Sequence, residues 1–435
     1  MSAARDLAIL NARLIDPASG HDGAASVLVR DGRIAAVESR PALEGLPEDV
    51  ERIDAGGAVL APGLVDLRVK TGEPGAEPKE TLKSACLAAA AGGVTTIVVQ
   101  PDTDPAIDDP AMVDFVQRRA GALGLIHVHV AGALTRGLDG ERMAEIGLMD
   151  EAGAVYFTDG DRVVRNSRTL RRVMAYAGAF NALVAHRPAD PWLSEGACAT
   201  DGELAARLGL PGAPAVAERI TLERDLALVE LTGARFLVDQ ISTADALDSF
   251  VRGRARGLEI AASVSINHLC FNEIDIGDYR TFYRLDPPLR PESDRLALVE
   301  AVRDGVIDVI TSAHTPAPAE DKRLPFSEAA PGASGLETLL AAALTLHHDA
   351  GLDLIDVLRP LTAGPAALLG LDAGAVSAGA SADLVLFDPD APVVIDAARL
   401  RSKSRNSPFD GRRLQGRILL TVADGRIVHD GRQGD

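Results

Sequence analysis

The chain has 435 residues, 47% hydrophobic and 25% charged, with 44 Lys and Arg against 63 Asp and Glu for a formal charge of −19. A chain this long buries a large core without disulfides or structural metals, and its acidic balance repels phosphate backbones, which argues against nucleic acid as a partner. Cys86, Cys198 and Cys270 are widely separated, with no CxxC pair, no signal peptide and no apolar run long enough to span a bilayer, so a cytoplasmic location is expected.

From the N-terminus, Ala8–Leu10 and Ala12–Ile15 read as short strands. Asp31-Gly32 then separates Val27–Val29 from Arg33–Val37, which predicts a hairpin. The rhythm changes in the middle of the chain. Strand candidates at Thr95–Val99, Ile126–Val130, Ala154–Phe157, Ala182–Ala185, Arg235–Val238, Ala261–Ser265 and Val306–Thr311 alternate with helical stretches. Those stretches include Glu80–Ala91, Asn166–Ala177, Ala215–Leu231, Thr243–Arg256 and Arg290–Asp304. Such alternation predicts a parallel α/β fold, and at this length a (β/α)8 barrel. Short strands return at the end: Asp383–Phe387, then a second hairpin in which Asp424-Gly425 joins Ile418–Val422 to Arg426–Val428. The expected organisation is therefore a TIM-like barrel over residues 56–372. A small β-sandwich domain is expected from residues 1–55 plus 373–435.

Several segments carry a more specific message. They are Pro62–Leu67, Glu73-Pro74-Gly75, Lys79-Glu80-Thr81, Ala89–Gly93, Pro101–Pro105, Ala205–Pro211, Pro287–Arg290, Gly335–Thr338 and Ser402–Phe409. Together they resemble the dihydroorotase branch of the amidohydrolase superfamily over nearly the whole chain. The resemblance implies a cyclic-amide hydrolase in which a hydroxide between two zinc ions attacks the carbonyl and an Asp shuttles the proton. It also implies which positions would hold the metals, and there this chain departs from the pattern. The His-x-His at the end of the first barrel strand falls on Arg68 and Lys70, and a guanidinium offers zinc no lone pair. Two further histidines fall on Gln240 and Asn267, and the proton-shuttling Asp falls on Ala313. Asp159, at the bridging-carboxylate position, alone keeps the family's residue type. Among the substrate contacts, the arginine falls on Gly72 and the asparagine on Asp102, while His314 stays in register.

The resemblance thus implies a family member that has lost its zinc site, with no cofactor and no catalytic residue expected. Such members associate with aspartate carbamoyltransferase in pyrimidine biosynthesis, so that enzyme is the expected partner, and homo-oligomerisation is expected from the family. Two other readings stand beside this one. The first is an amidohydrolase with a rearranged or metal-free site. The second is a module that binds a small anion on the cations of the emptied pocket. Without zinc, Asp159 would be an unpartnered buried carboxylate, which costs several kcal/mol. Arg68 and Lys70 share a strand face, so at least one of them is expected to pair with it. His127-Val128-His129 lies in a later strand and reads as structural, as do His347 and His348 at a helix end. His186 and His268 read as core or rim histidines. Cys86 and Cys270 read as small core residues rather than nucleophiles.

Overall fold

The computed structural model of the chain describes residues 6–40, 46 and 49–432. Eight strands pair side by side in chain order, all parallel. They are Leu64–Val69, Val94–Val99, His127–Gly132, Ala154–Phe157, Val184–His186, Phe236–Val238, Ile260–Ser265 and Val309–Thr311. A parallel bridge between Val69 and His314 brings the exit of the last strand back to the first, so the sheet nearly closes into a barrel. The strands are buried almost throughout, as both-face coverage requires, and this explains why they read as unbroken apolar runs in the sequence.

Helices run between the strands. Leu82–Ala91, Ser167–Ala177, Val216–Thr232, Ala244–Ala255 and Glu292–Arg303 fall where the sequence places them. Pro110–Leu123, which the sequence reading did not name, starts on an Asp109 cap with Pro110 in its first turn. The Leu82–Ala91 helix begins with a reciprocal cap: Ser84 N–H donates to Thr81 Oγ1, and Thr81 N–H donates to Ser84 Oγ. One buried cluster takes a side chain from every barrel strand: Leu67, Val98, Ala131, Tyr156, Ala185, Leu237, Ala261 and Val309. The Ala363–Leu369 helix plugs this interior at the strands' N-terminal end, where Leu368 O accepts from Arg235. The barrel is a packed core with one open end, the mouth at the strands' C-termini.

The two ends of the chain share a second, β-rich domain. Its sheet runs in the order Arg426–Asp430, Arg413–Ala423, Leu384–Val394, Val59–Pro62, Leu7–Asp16, His21–Arg30, Arg33–Glu38, with Glu51–Asp54 also on Leu7–Asp16. It is one hydrogen-bonded sheet around its own apolar core, and an Arg33–Ser381 bridge curls its edge back toward the C-terminal strands. Both Asp-Gly hairpins form, with positive φ at Asp31, Gly32, Asp424 and Gly425 as tight hairpin turns need. The two strands read at Ala8–Leu10 and Ala12–Ile15 are one strand with a bulge at Asn11 (φ +54°). Val59–Pro62 pairs with both Leu7–Asp16 and Leu384–Val394, so the first barrel strand opens at Leu64.

Candidate functional site

The mouth is built outward from the first barrel strand. Its register with the second strand shifts between Asp66 and Val69. Leu67 therefore packs inside the barrel and Val69 packs outward, while Arg68 and the following Lys70 both reach the mouth. Arg68 is 3% exposed and fully engaged. Its Nη1 lies 2.5 Å from Asp239 Oδ2, and its Nη2 pairs with Asp161 Oδ1. Lys70 Nζ lies 2.5 Å from Asp102 Oδ2 and also pairs with Asp161 Oδ2. Arg187, at the end of the fifth strand, joins the group through Asp286 at 2.7 Å and Asp161 at 3.9 Å. Three cations thus face four carboxylates, drawn from the ends of six barrel strands and the loops that follow them.

Electrostatics matches this geometry. Burial alone would discharge these groups. Against that burial, Asp239 and Asp161 hold the Arg68 guanidinium above its ordinary pKa, and Asp102 and Asp161 do the same for Lys70. In return Lys70 and Arg68 hold the buried Asp161 carboxylate well below the usual range.

Asp159 is not part of it, which corrects the expected pairing with Arg68 or Lys70. Its Oδ1 accepts from the backbone N–H groups of Leu134 (2.9 Å) and Thr135 (3.0 Å), and its Oδ2 accepts from Thr135 Oγ1 (2.5 Å). Burial pushes its pKa up, with the Thr135 contacts opposing. The reason is Gly160, whose φ of +63° ends the extended path after Asp159. The turn aims Asp161, not Asp159, at the cations. Asp161, Asp239, Arg187 and Asp286 were all missed from sequence. For Arg187 and Asp239 the available signal was a charged residue directly after a strand end, whereas Asp161 and Asp286 stand farther along their loops and carried no such signal.

The other positions divide. Gln240 does converge on the cluster: with its amide oriented to suit its neighbours, its oxygen accepts from Arg68 Nη2 at 2.9 Å. Asp102 converges too, through Lys70. Asn267 turns its amide N–H to Ser265 Oγ, while its buried Oδ1 has no hydrogen-bond partner among the described residues. Ala313 and Gln240 hold left-handed backbone, φ +49° and +59°, which costs of order 1 kcal/mol at a non-glycine residue. Gly72 also has positive φ, and a Cβ there would meet Ala76 O at 2.6 Å, so no side chain reaches the mouth from it. His314 does not line the mouth as a substrate contact would. It is fully buried, its Nδ1 accepts from Gly335 N–H, and its Nε2 lies 3.5 Å from Glu80 Oε2. His186 is likewise internal, between Asp225 Oδ2 (2.7 Å) and the N–H of Val164 (3.0 Å). His268 is buried against Pro288 O, and burial, with Arg290 adding to it, pushes its pKa down to about 4. Burial pushes the Cys86 and Cys270 thiols up to about 12, which leaves them unreactive.

Space at the mouth is limited where the resemblance puts metal and substrate. The cavity between Gln240, Asn267, His268 and Ala313 holds about 20 Å³, enough for a single water. A larger cleft of about 570 Å³ lies to one side, over Leu138, Glu141, Asp161, Arg162, Arg165 and Arg187. The residues present do not fit a zinc pair. A guanidinium and an ammonium sit between the carboxylates that could serve as ligands, and the imidazole of His186 is already bonded at both nitrogens.

Comparison with known proteins places this architecture. A family model described as dihydro-orotase-like matches residues 57–246, and an amidohydrolase family model matches residues 243–428. A dihydroorotase of Anaeromyxobacter dehalogenans is 41% identical over 99% of both chains. The chain belongs to the dihydroorotase family of amidohydrolases. A "Dihydroorotase-like protein" of Pseudomonas aeruginosa is equally similar, 40% identical over 98% of this chain and all of that one. Among solved structures, an L-hydantoinase of Arthrobacter aurescens superposes with a TM-score of 0.86 at 25% identity, covering 98% of this chain and 96% of that one. The dihydroorotase-like motifs themselves form the frame of the barrel's rim. Glu80 accepts from Ser402 Oγ and Lys403 N–H, Glu337 accepts from the N–H groups of Arg401 and Ser402, and Asn406 spans Thr315 O, Gly332 O and Ser334 Oγ. These links join segments more than 60 residues apart.

Proposed function

We propose that this chain is a non-catalytic member of the dihydroorotase family, serving as a structural or regulatory partner of aspartate carbamoyltransferase in pyrimidine biosynthesis. The observation that carries the first part is the ion-pair cluster: Arg68 and Lys70 lie among the acidic groups of the mouth and satisfy them internally. The same cluster argues against an anion-binding module, because each cation already faces at least one carboxylate. The partner rests on the family resemblance alone.

A second reading has an observation of its own. Relatives about 40% identical bear the name dihydroorotase, so an amidohydrolase working without the usual ligands is the competing proposal. Elemental analysis of the purified protein together with dihydroorotate hydrolysis in added zinc separates the two. We expect no turnover, and co-migration with aspartate carbamoyltransferase on sizing columns. Turnover that survives purification and fails in Asp161→Asn would overturn the proposal in favour of the second reading.

A further inference from the structure

We propose that His127, Asp383 and Asp424 form a binding site for a borderline divalent ion such as zinc, at the joint between the barrel and the terminal β domain. His127 opens the third barrel strand, so it sits at the end of the barrel opposite the mouth. Asp383 directly precedes the Leu384–Val394 strand, and Asp424 occupies the turn between Arg413–Ala423 and Arg426–Asp430. One ligand atom from each of the three lies within 4.8 Å of the others. His127 Nε2 is 2.9 Å from Asp383 Oδ1 and 3.5 Å from Asp424 Oδ1. A tetrahedral ion with bonds near 2.0–2.1 Å spaces its donors by about 3.3 Å, so the trio needs little adjustment.

A second observation points the same way. Asp383 is 96% buried: Oδ1 takes His127 and the N–H of Asp424, while among the described residues buried Oδ2 makes no hydrogen bond of good geometry, with the Ser381 hydroxyl, itself unpartnered, beside the carboxylate. An unsatisfied buried carboxylate oxygen is costly, and a bound cation removes that cost. Arg426 lies 3.6 Å from Asp424 Oδ2, which leaves Oδ1 turned to His127. His127 and Asp424 are 30% and 53% exposed, so an ion can enter and complete its shell with water. One imidazole and two carboxylates suit zinc or cobalt(II). Magnesium and calcium prefer all-oxygen sets of six or more. The ligands come from both domains, so the ion acts as a cross-domain clasp.

The test uses full-length, tag-free, metal-stripped protein titrated with zinc by calorimetry, and with cobalt(II) by its tetrahedral absorption bands. Parent protein should take up one equivalent at this site and gain thermal stability with zinc. His127→Gln and Asp424→Asn alter partly exposed groups and keep similar size. Each should weaken that uptake at least tenfold and abolish the thermal gain, with circular dichroism unchanged. Absence of saturable uptake, or uptake that both variants leave intact, overturns the site.

Discussion

Arg68 is the residue on which the mouth turns. Among the described residues it is the only partner that Asp239 and Asp161 share, and its pair with Asp239 is 3% and 8% exposed. Removing one member of such a pair leaves uncompensated buried charge, which typically costs about 3–5 kcal/mol. Arg68→Met should therefore lower the unfolding free energy by about that amount in urea titrations, and Lys70→Met, at a more exposed ammonium, by less. A loss below about 1 kcal/mol for Arg68→Met would show that solvent screens the cluster. The pairing of Arg68 and Lys70 with acid was legible in the sequence, because residues two apart on a strand share a face. Which acid they meet was not. Asp159 and Asp161 are also two apart, but Gly160 breaks the strand between them, and a turn angle is not written in residue type. His314 misled for a similar reason: its partner Glu80 lies 234 positions away, and no local pattern announces it.

At the scale of elements, the helices and strands were largely readable because caps and apolar runs are local signals. The Asn166 and Thr243 caps stand at the starts expected for their helices. The Leu82–Ala91 helix shows two kinds of constraint at its ends. Thr81 caps its start through one side-chain hydrogen bond, so Thr81→Ala should cost about 1 kcal/mol. Gly92, at its end, faces the carbonyl of Leu336, and an added Cβ would stand 2.1 Å from that oxygen. Gly92→Ala must displace backbone and should cost more than Thr81→Ala, about 1–3 kcal/mol or above. Equal costs for the two would mean that the helix shifts away from Leu336 freely. The sequence marked Gly92 as part of a motif, but the contact that demands a glycine comes from a segment more than 240 residues on.

Across the whole molecule, acid response follows from groups pulled in opposite directions. His268, held near 4 by burial, contributes stability above the ordinary histidine pKa of about 6.5, and that contribution is lost as pH falls toward 4. Asp66 and Glu337, raised by burial to about 6 and about 7, favour the folded state as they take up protons on the way down to the ordinary carboxylate range. These trends oppose each other between pH 7 and 4.5. Below about 4 the lowered carboxylates, Asp161 and Asp383 among them, must be protonated and their stabilisation disappears. Urea midpoints should be nearly level from pH 7 to 4.5 and then fall steeply. A fall beginning at pH 6 would show His268 ionising without compensation. The barrel and the shared β domain were legible at this scale from strand spacing, whereas the curl of the terminal sheet was not, because it depends on pairings between opposite ends of the chain.

The mesh around Asp161 also bears on how such a protein can change over generations. Exchanging Arg68 alone for histidine takes the guanidinium from Asp161 and Asp239 before any ion has a complete set of ligands to bind. Exchanging Lys70 alone does the same to Asp102. Each first step toward a metal-binding mouth lowers stability and gains nothing in return, so the present arrangement resists piecemeal conversion into a metal site.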